Sequence, residues 1–323
     1  MRKLFLAILF VPTAVFASCC GEATIEGEFL WWKPCTDSRP WAAQETEDGT
    51  FDYKQVCLDR EAGIRGTFAK ENVVGGLDLR ISYSYLKSTG RDKLESKTPN
   101  IFSTLAHAVF PGEANPLDNI FDLADVHRQM RYNAFDAVLY TTCPFCYLEL
   151  TPFIGFAGFF IEQEIKSRFA NRIVPVTFLD TLWNSQCAGF GMTLGSGGVY
   201  HFSCFDVYGK AQGALFAARP TVERDLQTFA VIGGDEIATL FQGSECGFLV
   251  ASWNLAVGLA YNWTWMDGNF SAHAGYEAVW YHNLPRPRAY MAESGATAAA
   301  LSTSPTLGTL GLHGLVLGVD VSF

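Results

Sequence analysis

The chain has 323 residues, 49% hydrophobic and 14% aromatic but only 17% charged, with a formal net charge of −10. So little charge is uncommon in a soluble domain of this size, and without a basic stripe to neutralise phosphates nucleic acid is excluded as a partner. Thirty glycines would weaken a helical protein but suit a sheet whose backbone must bend.

Met1-Arg2-Lys3 precedes an almost unbroken apolar run from Leu4 to Phe16, and Val15 and Ala17 supply small residues at the −3 and −1 positions. This predicts a secretory signal peptide over 1–17, cleaved before Ser18, and one domain over 18–323. Acylation of Cys19 as a lipoprotein is the competing reading, though Phe16 stands where leucine is usual. No later stretch reaches the roughly 18 apolar residues of a spanning helix. A membrane location would therefore require a closed sheet, since lipid satisfies no backbone hydrogen bond.

Two-residue alternation then recurs along the chain. Ile25, Gly27, Phe29 and Trp31 oppose Thr24, Glu26 and Glu28, and Ile64, Gly66 and Phe68 oppose Asp59, Glu61, Gly63 and Arg65. Leu77, Leu79, Ile81, Tyr83 and Tyr85 oppose Asp78, Arg80, Ser82 and Ser84. Side chains of a strand point to opposite faces in turn, so this pattern needs an apolar solvent on one side and a wetter space on the other. Further strands are predicted at 128–140, 147–161, 184–194, 198–212, 249–265, 271–283 and 309–323. In 128–140 the register stays open apart from an inward Asp136. Alternation from Trp253 to Trp265 is longer than a globular strand and sufficient for a tilted membrane strand. The terminal Phe323 suits a closing barrel strand and implies the barrel-assembly machinery as a partner.

Glu71-Asn72, Cys143-Pro144-Phe145-Cys146, Gly195-Ser196-Gly197-Gly198 and Asp267-Gly268-Asn269 read as short turns, and 34–56, 88–127, 163–182, 213–246 and 285–307 as long connections. The expected fold is all-β: a transmembrane antiparallel up-and-down β-barrel of about 10–12 strands, with long extracellular loops and short periplasmic turns. Ten strands are visible; twelve result if 213–246 hides a hairpin. Helical spacing shows only at Ile120, Leu123 and Ala124, as a short helix at the mouth or a loop cap.

Chemistry-bearing motifs are few. Cys143 and Cys146 have redox-pair spacing, but strands flank them and no helix N-terminus activates a thiol, so a turn or structural bridge is expected. No second close Cys or His pair supports zinc, and no metalloprotease, phosphate-loop or nucleophile-elbow pattern occurs. His201 and Ser203 share a strand face, yet nothing orients them as base and nucleophile. No catalytic residue, cofactor or metal is expected. The inward charges carry the functional argument: Glu26, Glu28, Asp59, Glu61, Asp78, Glu149, Asp206, Glu277 and Asp320, with Arg65, Arg80 and Lys210. They must be paired or hydrated. Their acidic excess predicts a weakly cation-preferring pore lining, and the alternative is a salt-bridge network in a filled barrel, because wide aqueous channels need about 16 strands.

Five segments then match, in order, one known family. Leu150-Thr151-Pro152-Phe153-Ile154-Gly155-Phe156-Ala157-Gly158-Phe159-Phe160-Ile161-Glu162-Gln163 is the most distinctive, joined by Glu26 to Pro34, Gly209 to Leu215, Gly275 to Asn283 and Gly311 to Leu315. Together they resemble the Legionella-type major outer membrane protein family, which also occurs in chlamydia-related bacteria. The resemblance implies a pore-forming barrel in the outer membrane of a Gram-negative bacterium, with membrane lipid as its surroundings and small hydrophilic solutes passing by diffusion. It carries no catalytic residues. The departure is cysteine: nine occur, an odd number, where porins have almost none. Similarity to cysteine-bearing major proteins of chlamydia-like envelopes implies bridges to other envelope proteins or a homo-oligomer. Cys19 and Cys20 at the periplasmic end and Cys35 or Cys57 in the first long loop are the candidates, with Cys143 and Cys146 as a candidate local pair; buried or internally paired thiols with one left over are the alternative. A structural or surface-interaction protein, with loops 34–56 and 88–127 meeting partners, is the second functional reading.

Overall fold

The computed structural model describes residues 22–36, 40–105, 120–172, 177–202, 205–231, 236–242, 247–265, 268–287 and 307–323. The expected signal peptide over 1–17 lies outside them, as do Cys19, Cys20, Cys204 and Cys246. The strands in chain order begin with β1 (Ala23–Thr36), β2 (Ala42–Glu45), β3 (Phe51–Lys54), β4 (Glu61–Val74) and β5 (Leu77–Glu95). Next come β6 (Ile101–Ser103), β7 (Leu123–Tyr140), β8 (Cys143–Phe145), β9 (Leu148–Asn171) and β10 (Thr177–His201). The last are β11 (Asp206–Val231), β12 (Glu236–Gln242), β13 (Phe248–Trp265), β14 (Gly268–Pro285) and β15 (Leu307–Ser322). No described residue is helical.

Ten of these strands form the wall, in the order β1-β4-β5-β7-β9-β10-β11-β13-β14-β15, each antiparallel to its neighbours. β15 pairs back onto β1, with Glu26 opposite Asp320 and Trp31 opposite Leu315, so the ring has no free edge. Closure is what allows a sheet to sit in lipid, because every ladder group finds a partner. Ala23, Phe323 and the short turns lie at one end of the barrel, the periplasmic end by the usual asymmetry of loops.

The alternation expected from the sequence sets the two faces. Trp253, Leu255, Val257, Leu259 and Tyr261 are each more than half exposed on the outer face, as are Ile64, Ile154 and Met192. A one-residue slip would turn Arg65, Arg80 and Lys210 to lipid, at roughly 2–4 kcal/mol each near the midplane. That penalty pins the register. At the periplasmic rim, aromatic side chains cluster at interface height: Tyr200 with Phe202, Phe202 with Phe205, and Tyr261 with Trp263, which stacks on Phe270.

Several expected boundaries are corrected. Gly195 to Gly198 is not a turn but lies inside β10, paired to both β9 and β11, and the chain reverses between His201 and Asp206. A Cβ at Gly195 would fall 2.5 Å from the Phe153 ring and 2.3 Å from the Ala211 carbonyl, so this glycine serves close approach rather than reversal. The 163–182 connection is mostly strand, with β9 reaching Asn171 and β10 starting at Thr177. The 213–246 segment does hide a hairpin, β11 with β12, but β12 pairs only with β11 and adds nothing to the wall. β4 runs past Glu71-Asn72 to a turn at Gly75 and Gly76, whose φ of 58° and 83° suit glycine. Leu123 and Ala124 open β7, and the helical spacing there produces no helix.

Two apolar layers fill the lumen above its periplasmic half. In the first, Trp32 (β1), Tyr132 (β7), Phe159 (β9), Phe216 (β11) and Tyr281 (β14) meet across the axis, with Leu30, Leu86, Met130 and Leu312 packed around them. Ring centroids of Phe159 lie 5.0 Å from Phe216 and 5.2 Å from Tyr281, and the Tyr132 and Tyr281 hydroxyls are 3.0 Å apart. The second layer lies toward the extracellular mouth. There the small sheet β3-β2-β6, built from the two longest connections, seats Trp41, Ala42 and Ile101 against Phe169, Leu179 and Trp183 of β9 and β10.

Candidate functional site

Beneath the aromatic layer the lumen opens into a polar vestibule of about 500 Å³. Its wall carries the carboxylates Glu26, Glu28, Asp136, Glu149, Asp206, Glu277 and Asp320 against the basic side chains Arg65, Arg80 and Lys210. Seven against three leaves carboxylates in excess on this wall.

Nine of the twelve inward charges expected from the sequence reach this vestibule: Glu26, Glu28, Arg65, Arg80, Glu149, Asp206, Lys210, Glu277 and Asp320. Three do not. Asp59 is exposed before the first residue of β4, and Glu61 sits above the vestibule, in register with Trp32 of the aromatic layer. Asp78 has the inward parity but lies at the periplasmic turn, where it accepts the Asn72 backbone N–H at 2.9 Å. Parity decides face, but height along the barrel decides compartment.

The upper vestibule is organised by Arg65. Its Nη1 donates to Glu28 at 2.9 Å, its Nη2 to Glu277 at 2.7 Å and its Nε to Ser84 at 2.9 Å, while its guanidinium lies 5.5 Å from the Trp32 ring. Asn254 donates to the other oxygen of Glu277 at 2.7 Å. These carboxylates are almost fully covered, with side-chain exposures of 8% and 2%, so the guanidinium supplies the counter-charge that such burial demands. On the wall opposite β15, Arg80 and Lys210 converge on the Phe153 ring at 5.0 and 5.8 Å. Asp136 accepts from Ser82 nearby. At the periplasmic mouth His201 Nδ1 lies 2.9 Å from Asp206 and its Nε2 3.4 Å from Glu149. His201 therefore faces the lumen; Ser203 lies outside the described residues.

The sequence reading missed His273. Its Nε2 is 3.1 Å from Glu28 and 3.4 Å from Glu26, and its Nδ1 is 3.9 Å from Asp320. A histidine set among the small residues Ser271, Ala272, Ala274 and Gly275 gave no local signal, because its partners come from β1 and β15. The aromatic layer was missed as well, although runs such as Leu30-Trp31-Trp32, Phe159-Phe160-Ile161 and Val279-Trp280-Tyr281, apolar on both faces, mark it.

The described cysteines, Cys35, Cys57, Cys143, Cys146 and Cys187, are all free thiols, so no internal bridge links them. Cys143 opens the short strand β8, opposite Leu150, and Cys146, at φ 55°, lies in the turn from β8 to β9. Cys35 and Cys57 are exposed at the extracellular end, where Cys35 Sγ lies 3.2 Å from His313 Nε2.

No curated protein matches the chain. Among solved structures it is similar to the outer membrane protease OmpT from Escherichia coli, at 7% identity over 94% of this chain and 96% of that one, with a TM-score of 0.45. A major outer membrane protein from Thermus thermophilus is 10% identical over 94% and 100% of the two chains, with a TM-score of 0.31. A FadL homologue from Pseudomonas aeruginosa is 6% identical over 94% and 90%, with a TM-score of 0.25. None of these likenesses assigns an activity. The family model described as the Legionella pneumophila major outer membrane protein precursor matches residues 20–323, which take in the entire barrel wall. The chain thus belongs to that family and is a multi-pass β-barrel of the outer membrane.

Proposed function

We propose that the protein is an outer-membrane porin, passing small hydrophilic solutes and ions by diffusion with a weak preference for cations. The acidic vestibule carries this reading: lining a lumen with seven carboxylates against three basic side chains is costly unless water and mobile cations occupy it. In this reading the aromatic layer is the gate, and transport requires its rings to part. No catalytic role is assigned.

One observation favours a second reading. The same layer is packed from nearly every wall strand and bonded through its two tyrosine hydroxyls, as a permanent seal would be. Such a protein would serve the envelope as a structural component, its exposed Cys35 and Cys57 free to bridge copies of the chain or other envelope proteins. Planar-bilayer recording on refolded protein separates the two. The porin reading expects conductance steps from the wild type, larger ones from the Phe159→Ala/Tyr281→Ala double variant, and a cation-side reversal potential that shrinks in Glu26→Gln. A silent wild type beside a conducting double variant would favour the seal, and silence from both would reject the porin.

A further inference from the structure

We propose that Glu26, His273 and Asp320 bind a first-row transition-metal dication, which fastens the closing seam of the barrel from inside. One donor atom from each residue lies within 4.8 Å of the other two. One spacing already matches a shared ion: His273 Nε2 is 3.4 Å from Glu26 Oε1, and its hydrogen bond to Glu28 Oε1 at 3.1 Å would give way to the metal. Ligands of a tetrahedral ion with bonds of about 2.05 Å stand about 3.3 Å apart. Asp320 Oδ1 now lies 3.9 Å from the other ring nitrogen, Nδ1, and a shift of its carboxylate toward the Nε2 side, within the 4.8 Å that spans the three donors, completes the set.

Strand register builds this cluster. Glu26 and Asp320 are direct cross-strand partners on β1 and β15, and His273 of β14 stands opposite Gly318, two residues before Asp320. A Cβ at position 318 would fall 2.3 Å from the imidazole, so the glycine is what lets the ring lie over β15 toward the carboxylates. Gly258 and Gly275 make room in the same way for Tyr208, whose ring stands edge-on to His273 at 5.7 Å. The imidazole is thereby held in place, with only 8% of its side chain exposed.

Charge points the same way. Three carboxylates, Glu26, Glu28 and Asp320, surround one imidazole, and Arg65 neutralises Glu28 while also serving Glu277. Glu26 and Asp320 have no partner but His273 among the described residues. A dication at this point neutralises both and keeps the imidazole neutral as its ligand. The nitrogen donor selects cobalt, nickel, copper or zinc over calcium and magnesium, which take oxygen ligands. Because the ligands sit on β14, β15 and β1, the ion ties together three consecutive strands, including the pair that closes the ring.

Metal binding here depends on donor geometry and does not require conduction. The test titrates refolded full-length barrel in detergent with Co²⁺, reading visible absorption and the temperature at which the folded band is lost on gels. The wild type is expected to bind one Co²⁺ per chain and to unfold at a higher temperature with the metal. His273→Gln is expected to bind at least tenfold more weakly, and Glu26→Gln/Asp320→Asn to lose both the absorption and the thermal shift. Should His273→Gln fail to refold, the carboxylate pair alone decides. Wild-type affinity within twofold of these variants would overturn the proposal and leave His273 as a salt-bridge partner only. A barrel that binds Co²⁺ yet is silent in bilayers would sink the porin reading and not this one.

Discussion

Replacing Arg65 by Met tests the electrostatic account of the lumen most directly. The guanidinium makes two ion pairs of 2.9 and 2.7 Å to carboxylates whose side chains are 8% and 2% exposed. At an effective dielectric of about 20, each pair at roughly 4 Å between charge centres is worth about 4 kcal/mol of attraction, most of it offsetting desolvation. Methionine fills similar volume, so the packing against Trp32 is retained while both carboxylates lose their counter-charge. Asn254 and His273 are then the remaining hydrogen-bond partners of Glu277 and Glu28. Removing one partner of a buried pair costs about 3–5 kcal/mol. The more exposed pair of Arg131 with Glu162 at 3.2 Å sets the contrast, because Arg131→Met should cost at most about 1 kcal/mol. Urea unfolding in detergent, followed by tryptophan fluorescence, measures both. Arg65→Met combined with Glu28→Gln and Glu277→Gln should recover most of the loss. If Arg65→Met stays within about 1 kcal/mol of wild type, or the triple variant is no more stable than the single one, the paired-charge account of the lumen is wrong.

Gly318→Ala should cost about 1–3 kcal/mol, since its methyl would meet the His273 ring at 2.3 Å, whereas Gly66→Ala, with nothing within 4 Å, should be near neutral; equal costs on the same gels would refute the seat. In single-cysteine variants, a membrane-impermeant maleimide should label Cys35 and Cys57 on intact cells, and Cys143 and Cys146 only once the periplasm is opened; the reverse pattern would invert the barrel in the membrane. Outside the membrane, a hydrogen bond from Arg172 holds the Glu95 carboxyl below its ordinary value of 4.5. That contribution is complete above 4.5 and fades as pH falls through the lower folded value. Amide exchange at Ser96, which donates to Asp122 of the same loop cluster, should therefore speed up in acid beyond the intrinsic pH effect, and Arg172→Gln should abolish that excess.

The sequence disclosed the faces of the wall far better than the ends of its strands. Trp253 to Trp263 and Leu315 to Val319 alternate because lipid tolerates no charge, and that constraint writes itself into every second residue. Above the lipid the constraint ends. On β9 the outward positions become Glu162, Glu164, Lys166 and Arg168, so the strand continues while the pattern that announced it stops, and 163–182 reads as a loop. Gly195 to Gly198 misled for the opposite reason, because glycine signals both reversal and close approach and only the neighbouring Phe153 distinguishes them. The nine lumenal charges were legible from parity. Asp59, Glu61 and Asp78 were not separable from them, since alternation reports a side and not a depth. His273 needed the register of three strands distant in sequence, which no local window contains.

Ala23 and Phe323 exchange both backbone hydrogen bonds, and Thr24 and Ser322 join hydroxyls at 2.8 Å. The zipper that completes the cylinder thus joins residues some 298 positions apart, and it cannot start until the very last strand is available. Bringing such remote segments together is slow and entropically expensive. Until that zipper closes, β1 and β15 each keep one margin of unsatisfied backbone groups, a template on which another chain could add a strand.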